Sequence, residues 1–185
     1  MLFTTPEFVI FFTFVLAAII ILKNKKFQHL LILIASYFFY YYSGTYYLSL
    51  LVASTFVNFW FGKIIYFSSS KNKKIIFSIS MAFNLGLLGF FKYVNFFVEQ
   101  VNSGLTFVGI QQISFLEIAL PIGISFYTFH SMGYLIDIYR KQISPSESFL
   151  DYSIYVAFFP QLVAGPILRA KHFLPQLREK INNFH

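Results

Sequence analysis

The chain of 185 residues contains no cysteine, which excludes disulfides, thiolate metal sites and a cysteine acyl-enzyme. Charge is scarce as well. Only 11% of the residues are charged, against roughly a quarter in soluble globular domains. With a mean hydropathy of +0.66, this argues against an ordinary soluble fold and for lipid as the solvent. Acidic groups are rarest, 7 against 14 Lys and Arg. The basic residues lie between apolar runs and form no binding patch, so they signal topology and contact with anionic membrane lipid; nucleic acid is not expected as a partner. No histidines have metal-ligand spacing, and no metal is expected.

What the chain has in excess is apolar and aromatic surface, with 27 phenylalanines and 13 tyrosines, rings that concentrate in helix packing and at the bilayer interface. A membrane span needs about 20 mostly apolar residues. Five stretches approach this: Phe3–Leu22, Phe27–Tyr42, Tyr46–Phe61, Ile75–Phe91 and Ile118–Ile138. The first reads as a retained helix and not a signal peptide, because Lys23, Lys25 and Lys26 follow its apolar run. The second and third are joined only by Ser43, Gly44 and Thr45, which predicts a helical hairpin with Tyr40, Tyr41, Tyr42, Tyr46 and Tyr47 as an aromatic girdle. Tyr93–Glu117 is too polar to span and predicts an interfacial helix followed by a loop.

Basic residues mark the cytoplasmic side. With the N-terminus outside, Lys92 is the one Lys or Arg of the 14 that falls outside. Ser144-Pro145-Ser146-Glu147 has the form of a capping box and predicts a helix beginning there. It should continue through Phe149 to Phe159, then meet Pro160 and Gly165-Pro166, which break helices. Since Arg140 and Lys141 precede this segment and Arg169 and Lys171 follow it, Leu150–Leu168 is predicted to enter the membrane and return as a re-entrant or buried helical hairpin. The expected fold is all-α and polytopic, about five spans plus that hairpin, with residues 1–185 forming one membrane domain.

In the fifth predicted span, Tyr127, His130, Tyr134 and Asp137 follow at helical spacing and form one polar stripe, which must face other helices or water. Pro121, Gly123, Ser125, Ser131 and Gly133 would let neighbouring backbones come close. Asp137 and Arg140, one turn apart, are expected to form a structural ion pair at the membrane boundary.

At these residues the chain resembles the membrane-bound O-acyltransferase family, in the bacterial branch that holds the alginate O-acetyltransferase membrane subunit and the teichoic-acid D-alanyl transfer protein. The matching strings are Leu120-Pro-Ile-Gly-Ile-Ser-Phe-Tyr-Thr-Phe129, Gly133-Tyr-Leu-Ile-Asp-Ile-Tyr-Arg140, Phe158-Phe-Pro-Gln-Leu-Val-Ala-Gly-Pro-Ile-Leu-Arg-Ala170 and Phe173-Leu-Pro-Gln-Leu177. The resemblance implies a ring of tilted helices around a thin centre pierced by a tunnel. It implies transfer of an acyl group, O-acetylation above all, to a hydroxyl of an extracytoplasmic polysaccharide in the bacterial inner membrane. The acyl donor would be a thioester co-substrate, with no bound cofactor, and periplasmic acetylation proteins are implied partners. The family's histidine string has no counterpart here, since the sole tryptophan is Trp60. The chain is therefore expected to be the N-terminal fragment of a longer acyltransferase, less than half of the family's length and inactive alone, with a C-terminal half supplied as a separate chain left as an open alternative.

On that resemblance, Tyr127, His130 and Tyr134 become tunnel or substrate-path residues. His130, about 18 Å inside the fifth span at the helical rise, has three readings: tunnel lining or structural hydrogen bond, general base, or lipid-facing accident. The first is favoured. Gln161, Gly165, Pro166 and Arg169 read as a shaped turn at the inner mouth of the tunnel. His29, His172 and His185 receive no role. The competing functions are a transporter or flippase component, suggested by broken helices and a midplane polar stripe, and a truncated, non-catalytic membrane remnant.

Overall fold

The structure, a computed structural model, describes residues 5–42, 45–111, 113–114, 118–162, 165–166 and 168–178. They form the helices α1 (Pro6–Ile21), α2 (Lys25–Tyr41), α3 (Thr45–Phe67), α4 (Ser70–Phe107), α5 (Ile124–Tyr139), α6 (Phe149–Ala157), α7 (Phe159–Leu162) and α8 (Ala170–Arg178). No strand occurs among the described residues. The start of the first span at Phe3, the Gly44 turn, Glu117, Val163, Ala164, Ile167 and His185 lie outside them.

Among the described residues, α3 and α4 are the helices long and apolar enough to cross a membrane. Helices α1, α2 and α5 have 16, 17 and 16 residues, short of the roughly 20 that a full span needs. The outward face of α4 carries Ile75, Ile79, Phe90, Phe97 and Val101. So large a continuous apolar face is not sustained in water. The chain is a membrane protein.

Four predicted boundaries are corrected. Helix α4 continues where an interfacial helix was expected to begin, running 38 residues, roughly 57 Å at the helical rise. Nothing between Tyr93 and Phe107 stops it until Gly109, whose φ of +76° lets Ile110 N–H reach back to the Leu105 carbonyl at 2.9 Å and close the last turn. The following segment is strapped onto α4. The amides of Asn95 and Asn102 each accept and donate one hydrogen bond with a single residue's backbone, Ile118 and Ile113 respectively.

The fifth predicted span begins six residues late, at Ile124. Pro121 lacks a donor and Gly123 sits at φ +76°. The sixth helix starts at Phe149 and not within the predicted capping box, because Ser148 caps it by accepting from Asp151 N–H at 3.2 Å. Ser146 N–H is meanwhile drawn away to the Tyr134 hydroxyl at 2.9 Å. The helix also ends at Ala157, two residues short of the expected Phe159. Pro160 falls at the second position of α7, where its missing N–H costs nothing.

Side-chain ties show which ends of the helices meet. His29, near the start of α2, bonds Asp151 at the start of α6, and Arg178 of α8 bonds the same carboxylate. Lys73 near the start of α4 lies over the ring of Tyr139 at the end of α5. Lysines and arginines from four segments thus collect at one pole. At the other pole, Tyr47 donates to the Ala119 carbonyl at 2.8 Å. The aromatic girdle forms only in part: Tyr41 and Tyr42 are exposed, but Tyr40 turns inward and is buried.

Candidate functional site

From the basic pole, α6 runs inward with Asp151 through Ala157 all buried, breaks at Phe158, and turns through α7. The return passes Gly165 and comes back to α8, whose Ala170 and Leu174 line one depression with Ile143–Glu147 at the basic pole. The break frees backbone groups inside the protein, and side chains stand in as partners for at least two of them. Phe159 N–H donates to Ser36 Oγ of α2 at 3.3 Å. Gln161 Nε2 donates to the Tyr155 carbonyl at 3.1 Å, replacing the lost helical bond. The Val156 carbonyl faces the ring of His130. The Tyr155 hydroxyl bridges the carbonyls of His130 and Leu168, at 3.2 and 3.1 Å, and so ties α5 to the returning strand.

The turn fits only around glycine at two points. A Cβ on Gly123 would stand 2.7 Å from the Leu162 carbonyl oxygen, and one on Gly165 would stand 2.5 Å from Gln161 Cα. Phe159 is held from the far side by Phe8, Phe11 and Phe12 of α1 and Phe39 of α2, the nearest ring centroid 5.3 Å away.

Between α5 and this hairpin lies a polar seam. Tyr127, His130, Tyr134 and Asp137 are all buried, as the stripe predicted. Tyr134 packs on the Tyr152 ring at 4.5 Å. Among the described residues, Thr128 Oγ1, Asp137 Oδ2 and Gln161 Oε1 of the seam have no hydrogen bond of acceptable geometry, while the hydroxyls of Tyr40 and Tyr127 face each other and that of Ser153 faces Tyr37. In an otherwise apolar interior, such atoms mark a place for polar guests. Among the described residues, no carboxylate stands behind His130. Asp137 is seven residues along the same helix, roughly 10 Å away at the helical rise, so no Asp–His dyad exists to raise the basicity of the ring.

The remaining predicted residues scatter. Asp137 and Arg140 form no ion pair: Arg140 is exposed and Asp137 points inward. A residue that caps the helix end lies at the surface, while the carboxyl three residues earlier belongs to the buried face. Gln161 is buried, Gly165 half-buried, and Pro166 and Arg169 are exposed. Gly133 makes no close helix contact. Unforeseen participants are His29, Ser36, Asp151, Tyr152 and Tyr155. Asp151 carried a signal, as an acidic group in an apolar run, which burial permits only when it is paired.

Comparison with known proteins places this geometry in context. The probable alginate O-acetylase AlgI of Pseudomonas aeruginosa is 37% identical over 136 residues, 72% of this chain and 26% of that protein. Its counterpart in Pseudomonas syringae is 34% identical over 136 residues, with the same coverage. A peptidoglycan O-acetyltransferase of Helicobacter pylori is 32% identical over 163 residues, 75% of this chain and 30% of that protein. The chain spans about a quarter of the length of the curated relatives it matches. These names bear out the resemblance to the membrane-bound O-acyltransferase family, and its restriction to an N-terminal portion. No family model matches the chain, and no solved structure matches it.

Proposed function

We propose that this chain is the N-terminal part of a multi-pass O-acetyltransferase of a bacterial cytoplasmic membrane, with its N-terminus outside. The complete enzyme would carry an acetyl group from a thioester donor, reached from the basic inner pole, to a hydroxyl of an extracytoplasmic polysaccharide. The observation that carries this reading is the alignment of 72% of the chain with proteins named for O-acetylation of alginate. The seam between α5 and the α6–α7 hairpin supports it, since acyl transfer across a membrane needs a buried route lined by polar groups.

In this reading Tyr127, His130, Tyr134 and Gln161 line the route, and Gly165, Pro166 and Arg169 shape its return turn. The acceptor hydroxyl attacks the thioester carbonyl, a base takes its proton, and the thiolate leaves. His130, held between the Val156 carbonyl and the Tyr155 ring at 5.5 Å without a carboxylate behind it, serves as lining. The base is supplied by the remainder of the enzyme. A transporter component is the weaker reading, because the relatives are named for group transfer.

The test is to express the 185-residue chain alone and together with the downstream reading frame, then to measure ester content of the cell-surface polysaccharide. Ester should appear only with the longer product. Acetylation by the short chain alone, lost in His130→Ala, would overturn this assignment and make His130 the base.

A further inference from the structure

We propose that α8 is a proton-held latch over the basic end of the polar seam, closed when both ring nitrogens of His29 carry a proton and released when one is lost. The inference does not depend on which reaction the seam serves.

It starts from the two partners of one imidazole. His29 Nδ1 lies 2.9 Å from Asp151 Oδ1, and its Nε2 lies 3.1 Å from the carbonyl of Leu177. A carboxylate and a peptide carbonyl only accept, whereas a neutral imidazole has a single N–H. Both bonds at once therefore require the imidazolium. The ring thereby joins three elements: α2, which carries it, α6 through Asp151, and α8 through Leu177. Around it Arg178 Nε donates to Asp151 Oδ2 at 3.4 Å, Arg178 Nη2 reaches Ser146 Oγ at 3.5 Å, and Lys25 Nζ donates to the Arg178 carbonyl. The other charged groups of these elements, Lys26 on α2, Glu147 before α6, and Lys171 and His172 on α8, are exposed. Asp151 is thus the acid that faces His29.

Helix α8 is built to depend on such ties. It has nine residues, below the roughly 12 to 15 at which an isolated helix is even marginal. Pro175 inside it denies the Lys171 carbonyl its helical partner. Its apolar hold is one face, Ala170 and Leu174, with the Phe173 ring against Tyr155 and Phe158. Tyr155 is the residue that reaches the His130 carbonyl, so lifting α8 uncovers the way from the basic pole to the seam.

The sign follows from linkage. The closed state holds the proton more tightly than the open one, so closure is favoured at low pH and lost as pH rises.

The absence of cysteine gives a clean reporter. In the full chain in lipid nanodiscs, Leu174→Cys reads the face under α8, where Leu174 is 7% exposed, and Phe107→Cys, at a position 94% exposed, is the reference. The ratio of the two labelling rates is the readout, and the same ratio measured in His29→Phe removes what remains of the pH dependence of thiol reactivity, which differs between a buried and an exposed thiol. The ratio should rise severalfold between about pH 5.5 and 8.5. His29→Phe should give a high, flat ratio. Asp151→Asn, which removes the charge that favours the imidazolium, should move the rise to lower pH and serves if His29→Phe fails to fold. A flat ratio in the native sequence, a rise that survives His29→Phe, or an Asp151→Asn profile that does not move would overturn the latch.

Discussion

Asn58 on α3 and Asn84 on α4 exchange both amide hydrogen bonds, at 3.1 and 2.7 Å, inside the interface of the two longest helices. Each amide nitrogen also donates to the carbonyl four residues earlier in its own helix, at 2.9 Å to Ser54 and 2.8 Å to Ser80. Every amide proton of the pair is thereby used. Lipid offers no replacement partner, so the pair fixes the rotation and register of α3 against α4.

Replacing one member, as in Asn58→Leu or Asn84→Leu, should destabilise the fold by about 1 to 2 kcal/mol, since the remaining amide is left buried and unpaired. The double substitution should cost less than the sum of the two. Unfolding in mixed micelles, arranged as a double-mutant cycle, measures the coupling; strict additivity would show that the two amides do not act as a unit.

Glycines separate into two groups. Gly123→Ala meets the Leu162 carbonyl and a φ of +76°, and should cost about 1 to 3 kcal/mol. Gly86→Ala and Gly89→Ala, inside α4 where nothing lies within 4 Å of the new atom, should be neutral or stabilising by up to about 1 kcal/mol. Equal thermal stability of Gly123→Ala and Gly86→Ala would contradict the close approach of α5 and α7.

Ser36→Ala removes the acceptor of the Phe159 N–H at the hairpin break. A loss of about 1 to 3 kcal/mol is expected, the cost of one unsatisfied buried amide. Ser36→Thr keeps the hydroxyl and should retain most of the stability. Denaturation of the three proteins side by side distinguishes lost hydrogen bonding from lost volume.

The proposed orientation has a direct readout in intact cells. Asn72→Cys, at the start of α4, should be closed to an impermeant thiol reagent added outside, and Ser103→Cys, toward its other end, should label. Labelling of the first but not the second would invert the topology.

The helical class and the inward-facing stripe from Tyr127 to Asp137 were legible, because both rest on periodicity and hydropathy, which are local. Helix ends were less so. The start of α6 was set by a competition between Ser148 and the Tyr134 hydroxyl for nearby backbone donors, and one partner in that competition is 12 residues away in sequence. The length of α4 was hidden because polar residues such as Asn95 and Asn102 look like loop formers until a returning strand is there to use them. His29 gave no signal for the same reason: its partners lie 122 and 148 residues away. Conversely, Asp137 and Arg140 have ideal spacing for a pair, and burial of one with exposure of the other defeats it.

The α6–α7 hairpin has a consequence for biogenesis. Its nine-residue first limb is only about 14 Å long, too short to be partitioned into lipid as a span, and its broken tip carries peptide groups that hydrocarbon cannot accept. The groups that satisfy or accommodate that tip are contributed by Ser36 and by the segment around Gly123 and His130, all made earlier by the ribosome. The hairpin therefore needs a cradle whose parts precede it in the chain, and α8, which follows it, packs on it from the other side. Until α1, α2 and α5 are together it must wait at the membrane surface, which makes the newly made chain most exposed to quality-control proteases between the insertion of α5 and the closing of the tip.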